Sequence, residues 1–169
     1  VNGGPVTLED VLVQGVRIQP GQIIAIGVTA FATLVARGLR THDIDGFGVA
    51  TAGAGHAEVE DYVADGTHPM SVGLHAEERG TIIARRARLG PLDIGARAFV
   101  RGTLVLEDAT ISGARTYAFS VTGLEALATF RRIVAHHSES GLRVGADGTV
   151  DIEDAVFEDI VSDGVGDDG

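Results

Sequence analysis

TIIARRARLGP (residues 81–91), TLVLEDATISG (103–113) and LATFRRIVAHH (127–137) are imperfect copies of one another, and four more segments share their pattern. These are PVTLEDVLVQG from Pro5, FATLVARGLRT from Phe31, HAEVEDYVADG from His56 and TVDIEDAVFED from Thr149. The seven starts are separated by 26, 25, 25, 22, 24 and 22 residues. Charged dipeptides fall at the same place in successive copies: Glu60-Asp61, Arg85-Arg86, Glu107-Asp108, Arg131-Arg132 and Glu153-Asp154. The sign flips at every step. Residues this far apart cannot meet on one helix or hairpin. They meet if the chain winds into coils, where equivalent positions stack at roughly 4.8 Å. Acid and base then alternate as a ladder of ion pairs along one edge.

The second and fourth positions of each segment are apolar: Val6/Leu8, Ala32/Leu34, Ala57/Val59, Ile82/Ala84, Leu104/Leu106, Ala128/Phe130 and Val150/Ile152. Alternation with period two is a strand with one buried face. The sixth position breaks it, and an apolar pair resumes at the seventh and ninth, as in Ala109/Ile111. Two short strands therefore meet at a one-residue bend. Asp suits a bend because it tolerates left-handed backbone, whereas Arg86 and Arg132 fit less comfortably. In this alignment Leu8, Leu34, Val59, Ala84, Leu106, Phe130 and Ile152 form one inward column. Coil two carries Val35-Ala36 in place of a charged pair, a gap in the ladder between Glu9-Asp10 and Glu60-Asp61.

A third strand follows a few residues later, usually after Gly: Gly21-Gln-Ile-Ile-Ala-Ile, Gly46-Phe-Gly-Val, Ser71-Val-Gly-Leu, Ala96-Arg-Ala-Phe, Tyr117-Ala-Phe-Ser-Val, Gly141-Leu-Arg-Val and Gly164-Val-Gly. Three short strands per coil make a triangular cross-section. The pattern resembles the right-handed parallel β-helix, the pectate-lyase-like superfamily, over nearly the whole chain. Leucine-rich repeats want a Leu and Asn spacing that is absent here, and an 18-residue left-handed coil does not fit these periods. The expected fold is an all-β solenoid of about seven coils, one domain over residues 1–161, with an acidic frayed tail at 162–169. Seven coils would span about 34 Å.

Composition agrees with this reading. The 169 residues include 24 Gly, 44% hydrophobic residues and 5% aromatic ones, as short buried strands with tight turns require. No apolar run is long enough to span a membrane. Cysteine is absent, so disulfides and thiolate sites are excluded. All 13 basic residues are Arg, against 24 acids, giving a net charge of −11. Such a surface repels nucleic acid and anionic membranes, and membrane insertion is not expected. The chain begins at Val1 rather than Met, as a processed or excised segment would.

Candidate sites each have a plain structural explanation. Alternating charges cancel in the far field, so the ladder reads as structural and as a guard on register, because a one-coil slip stacks like on like. His136 and His137 stand beside Glu158 and Asp159 one coil on, a ligand set that suits a divalent metal and equally suits ordinary ion pairs. His42-Asp43-Ile44-Asp45 reads as a polar turn. Gly145-Ala-Asp-Gly-Thr-Val-Asp is similar to calcium-binding turns without their further acids. No cofactor is expected.

The resemblance implies that catalysis, where present, lies on the outer face of the third strand, on clustered Asp with Arg or Lys. Here the outward residues read as mostly small (Ala25, Gly48, Gly73, Ser120 and Gly166), with Arg97, Arg143 and His75 as the functional groups and no carboxylate beside them. No catalytic residue carries over. The resemblance instead implies a non-catalytic scaffold or interaction module of a larger secreted or cell-surface protein. Expected partners are a glycan and end-to-end or neighbouring-domain contacts. The alternative is a degenerate or partial polysaccharide lyase or hydrolase whose active coils lie outside this segment.

Overall fold

A bend of one residue between two β-strands requires left-handed backbone, and the computed structural model places such a residue at the sixth position of every coil. Asp10, Asp61, Arg86, Asp108, Arg132 and Asp154 have φ between 50° and 55°, and Gly38 has φ 63°. The structure describes residues 5–15, 24–29 and 31–161, without the side chains of 24, 25, 28 and 29. Bend amides also donate across coils. The N–H groups of Asp10, Gly38, Asp61, Arg86 and Asp108 reach the carbonyls of Arg37, Glu60, Arg85, Glu107 and Arg131 at 2.9–3.0 Å. That bond helps offset the left-handed cost, of order 1–3 kcal/mol for a residue with a Cβ.

The strands stack as three faces of a parallel β-solenoid, with no helix among the described residues. The first face comprises β1 (Val6–Glu9), β4 (Thr33–Arg37), β7 (His56–Glu60), β10 (Thr81–Arg85), β13 (Thr103–Glu107) and the leading halves of β16 (Leu127–His136) and β18 (Thr149–Glu158). The second comprises β2 (Leu12–Gln14), β5 (Arg40–His42), β8 (Val63–Ala64), β11 (Arg88–Leu89), β14 (Thr110–Ser112) and the trailing halves of β16 and β18. The third is β3 (Ile24–Thr29), β6 (Phe47–Ala52), β9 (Val72–Ala76), β12 (Ile94–Phe99), β15 (Tyr117–Thr122) and β17 (Leu142–Val144). This makes about six turns, and β18 supplies two faces of a seventh. The third strands expected from Gly21 and Gly164, and the tail at 162–169, fall wholly or partly outside the described residues.

Coil two departs from the sequence alignment by two residues. Val6 pairs with Leu34, Leu8 with Ala36 and Glu9 with Arg37, and β4 continues in the same register onto β7. The inward column is therefore Leu8, Ala36, Val59, Ala84, Leu106, Phe130 and Ile152, while Leu34 belongs to the neighbouring column with Ala57 and Ile82. The Val35-Ala36 gap vanishes: Arg37 is the rung and Gly38 the bend. Phe31, the first residue of that segment in the sequence alignment, is 85% exposed at a corner with φ 66°. A two-residue slip keeps every side chain on its own face, so apolar alternation could not detect it.

Packing couples neighbouring columns. Leu34 sits two residues from Ala36, Ala57 from Val59, Ile82 from Ala84 and Ala128 from Phe130, so a large and a small residue share the space in most coils, all of them buried. Phe130 also packs on Phe119 of the third face at 4.5 Å between centroids. Below them Tyr62 fills the room left by Gly48, where a Cβ would overlap the phenol oxygen. That hydroxyl donates to the carbonyl of Gly73 at 3.1 Å, so the 2.7 Å bond with buried Thr41 has Thr41 as donor. Both polar groups are thereby satisfied inside the core.

Candidate functional site

The ladder runs along the corner between the first and second faces. At the fifth position Glu9, Arg37, Glu60, Arg85, Glu107, Arg131 and Glu153 stand in strict register, seven rungs of alternating sign. Arg37 meets Glu60 at 3.1 Å, Arg85 meets Glu107 at 3.0 Å, and Arg131 meets Glu107 and Glu153 at 3.7 and 3.4 Å. At the bends, Arg86 grips Asp61 through two bonds of 2.8 and 3.0 Å and also meets Glu60 at 2.5 Å. Arg132 grips Asp108 in the same bidentate way. These hydrogen bonds hold the Glu60, Asp61 and Asp108 carboxyls below their ordinary range. Asp10, Arg37, Arg40, Asp61, Arg86, Arg88 and Asp108 line an open groove of about 620 Å³ there. Its ladder charges bond mainly to one another, as a structural strip requires.

The histidine–carboxylate set at the second corner resolves into backbone geometry. In five of the seven coils the eleventh position is again left-handed, at Gly15, Asp43, Gly113, His137 and Asp159. Asp and His are among the residues that accept this conformation best. His137 Nε2 lies 3.5 Å from Asp159, and its Nδ1 is bonded to Nδ1 of His136 at 2.7 Å. His136 is in register with Glu158. Among the described residues no group of three or more His, Cys, Asp or Glu is arranged to hold a metal. His42 bonds Asp65 at 2.5 Å and His68 bonds Asp43 at 2.9 Å. Asp93 accepts from Thr116 at 2.6 Å and its amide donates to Ser71 at 3.0 Å. These bonds stitch successive coils at this corner.

The third face differs from the sequence reading. Gly48 and Gly73 are not outward: a Cβ on them would meet Tyr62 and Thr41, or Leu89 and Leu92, inside the core. Ala25's side chain and Gly166 lie outside the described residues. Ala50, His75, Arg97, Ser120 and Arg143 share one register column. A carboxylate does stand in this neighbourhood, because Glu77 lies 3.1 Å from His75 Nε2. Sequence reasoning misses it because it lies just beyond the strand in the turn, two residues from His75.

His75 is 2% exposed, stacked on Phe47 at 4.1 Å and near Phe99 at 6.5 Å. Burial lowers its pKa against the opposing pull of Glu77, so the ring is neutral near pH 7. Its Nδ1 and the Nε of Arg97 have no hydrogen-bond partner among the described residues. The Arg97 guanidinium lies 4.3 Å over Phe99, and that of Arg143 lies 5.3 Å over Tyr117 while Nη1 donates to the Tyr117 hydroxyl at 3.1 Å. Burial lowers the pKa of Arg97 against the opposing pull of Glu77, with a smaller push from Arg143 in the same direction as burial. Two cations thus flank Ser120 on one face.

Fold and surface together define a parallel β-solenoid with a ladder of alternating charges along one corner. No protein-family model, no curated protein and no solved structure matches this chain.

Proposed function

We propose that this chain is a non-catalytic interaction module of a larger secreted or cell-surface protein, and that its third face contacts an anionic carbohydrate. The observation that carries the reading is the column Arg97, Ser120 and Arg143. Two guanidiniums two coils apart, roughly 10 Å by strand spacing, face solvent-side aromatics on a protein of net charge −11. Cations at that spacing suit a repeating polymer with carboxylate or sulfate groups. The acid-rich, Lys-free composition and short turns support a scaffold exposed to a salty medium.

The test is a glycan array containing neutral, uronate-bearing and sulfated oligosaccharides. Binding should be confined to anionic glycans and fall at least roughly tenfold in Arg97→Ala/Arg143→Ala, the loss expected for one charge-assisted contact. Equal binding by that variant, or no binding by the parent, overturns the reading. The pairing of buried His75 with half-buried Glu77 beside Arg97 favours a second reading, a partial polysaccharide lyase or hydrolase. Release of new reducing ends from an anionic polysaccharide, lost in His75→Ala, would establish that instead.

A further inference from the structure

His75 presents a bare acceptor inside the protein. The Glu77 carboxylate can only accept, so the proton of the neutral ring sits on Nε2, 3.1 Å from Glu77, and Nδ1 carries the lone pair. That Nδ1 is buried without a partner among the described residues, in a side chain 2% exposed and stacked on Phe47. Arg97 is the register partner of His75 one coil on, about 4.8 Å away by strand spacing. Its buried Nε–H is a donor that is likewise unpaired among the described residues. Buried polar groups without a partner are rare and costly. An orphan acceptor and an orphan donor on neighbouring strands of one face point to a ligand.

An anionic oxygen accepts from Arg97 but is repelled by the lone pair on Nδ1. Once Nδ1 takes a proton it becomes a second donor, and two charged N–H groups then grip one carboxylate or sulfate oxygen. In the free protein that proton is disfavoured. Burial and the Arg97 charge oppose it, and a protonated Nδ1 would have no acceptor. A bound anion supplies both the acceptor and the opposite charge. We infer that His75 Nδ1 and Arg97 Nε form one subsite for an anionic oxygen, and that His75 takes up a proton as the oxygen binds, so that this face holds anions more tightly in acid. Few charged groups surround the ring. Glu77 from the turn after β9 and Arg97 from β12 act on it, and Arg143 from β17 acts on Arg97. β6 brings only Phe47 and Ala50, β12 adds Phe99, and β10 behind the strand turns Ile82 and Ala84 to the core. Both nitrogens lie below the surface, so the oxygen reaches them as Arg97 turns off the Phe99 ring. Among the described residues no hydrogen bond or ion pair holds that guanidinium there. The inference rests on the reading of the third face as an anion site and couples that site to a proton.

Sodium sulfate is the probe, with sodium chloride at equal ionic strength as the control for screening. The titration of the His75 ring is followed by NMR in the parent protein, its Cε1–H resonance assigned through contacts with the Phe47 and Phe99 rings. Sulfate should raise the titration midpoint by about one pH unit, as an opposite charge at close range does. Its dissociation constant should fall by up to about tenfold per pH unit as pH drops through that midpoint, the limit for one coupled proton. Chloride should do neither. His75→Gln should keep the sulfate affinity that the parent shows near neutral pH and lose the gain in acid. The ring titration needs no variant, so the inference stays open to refutation whether or not His75→Gln folds. Sulfate binding with an unmoved His75 midpoint, or no sulfate binding at any pH where the chain is folded, overturns it. Glycan binding with the midpoint unmoved would overturn the subsite and leave the carbohydrate reading standing. A midpoint raised by sulfate in a chain that binds no glycan would do the reverse.

Discussion

The bend column shows how a single residue type is chosen. Asp, Arg and Gly all occupy the same left-handed corner, and Gly38 alone lacks a side chain to pair across coils. A Cβ there would press on Asp10 Oδ1, the free end of a flexible side chain. Gly38→Ala introduces left-handed strain, about 1 kcal/mol, with nothing in return. Gly38→Arg introduces the same strain but sets a guanidinium between Asp10 and Asp61, with exposed pairs of about 0.2–1 kcal/mol each. Thermal unfolding should therefore place Gly38→Arg above Gly38→Ala, by an amount that shrinks in high salt; equal melting temperatures would remove the pairing argument. Gly38 is also the legible signal that an alignment on apolar spacing overlooks. A glycine beside Arg37 marks a left-handed bend as well as Asp does, and it fixes coil two where apolar alternation is blind to an even slip. His137 and Asp159 show the converse: residues whose chemistry suits a metal also suit the left-handed backbone they occupy.

At the level of strands, the first two faces are readable because their apolar spacing is strict and the bend is marked by charge. The third face is less so. Its Gly residues face inward to admit Tyr62, Leu89 and Leu92, and nothing local in the sequence announces a contact with a side chain 14 to 19 residues away. The His75–Glu77 pair is hidden for a related reason, since alternation assigns faces within a strand and says nothing of a side chain that folds back from the following turn. Element energetics rest on the ladder. Replacing Arg131-Arg132 with Glu-Glu removes the contacts to Glu107, Glu153 and Asp108 and stacks three acidic coils in succession. The loss should exceed that of Arg131→Ala/Arg132→Ala, because repulsion is added to lost attraction. Melting temperatures of the two variants in low and high salt decide it. An identical loss in both would mean that the rungs act one by one and do not guard register.

For the whole molecule, the ladder ties stability to pH. Glu60, Asp61 and Asp108 have folded-state pKa values below the ordinary 4.5 and 3.8, chiefly through hydrogen bonds from Arg86 and Arg132. A depressed carboxylate contributes fully above its unfolded pKa, and the contribution disappears as pH falls through the folded one. His75 acts in the same direction at higher pH: burial lowers its pKa, so protonation favours the unfolded chain as pH falls below the ordinary 6.5. In acid the 13 Arg and 6 His lose their counter-charges, and Arg rungs two coils apart then repel across neutral Glu. The melting temperature should decline gently below pH 6.5 and steeply below pH 4.5. Added salt should stabilise the acid form by screening that repulsion, within a Debye length of about 10 Å at 0.1 M. Asp61→Asn/Asp108→Asn removes two of the three shifted carboxylates, so its steep limb should be shallower than the parent's while the gentle limb is unchanged. Parallel curves for parent and variant would show that acid unfolding is governed by groups other than these rungs.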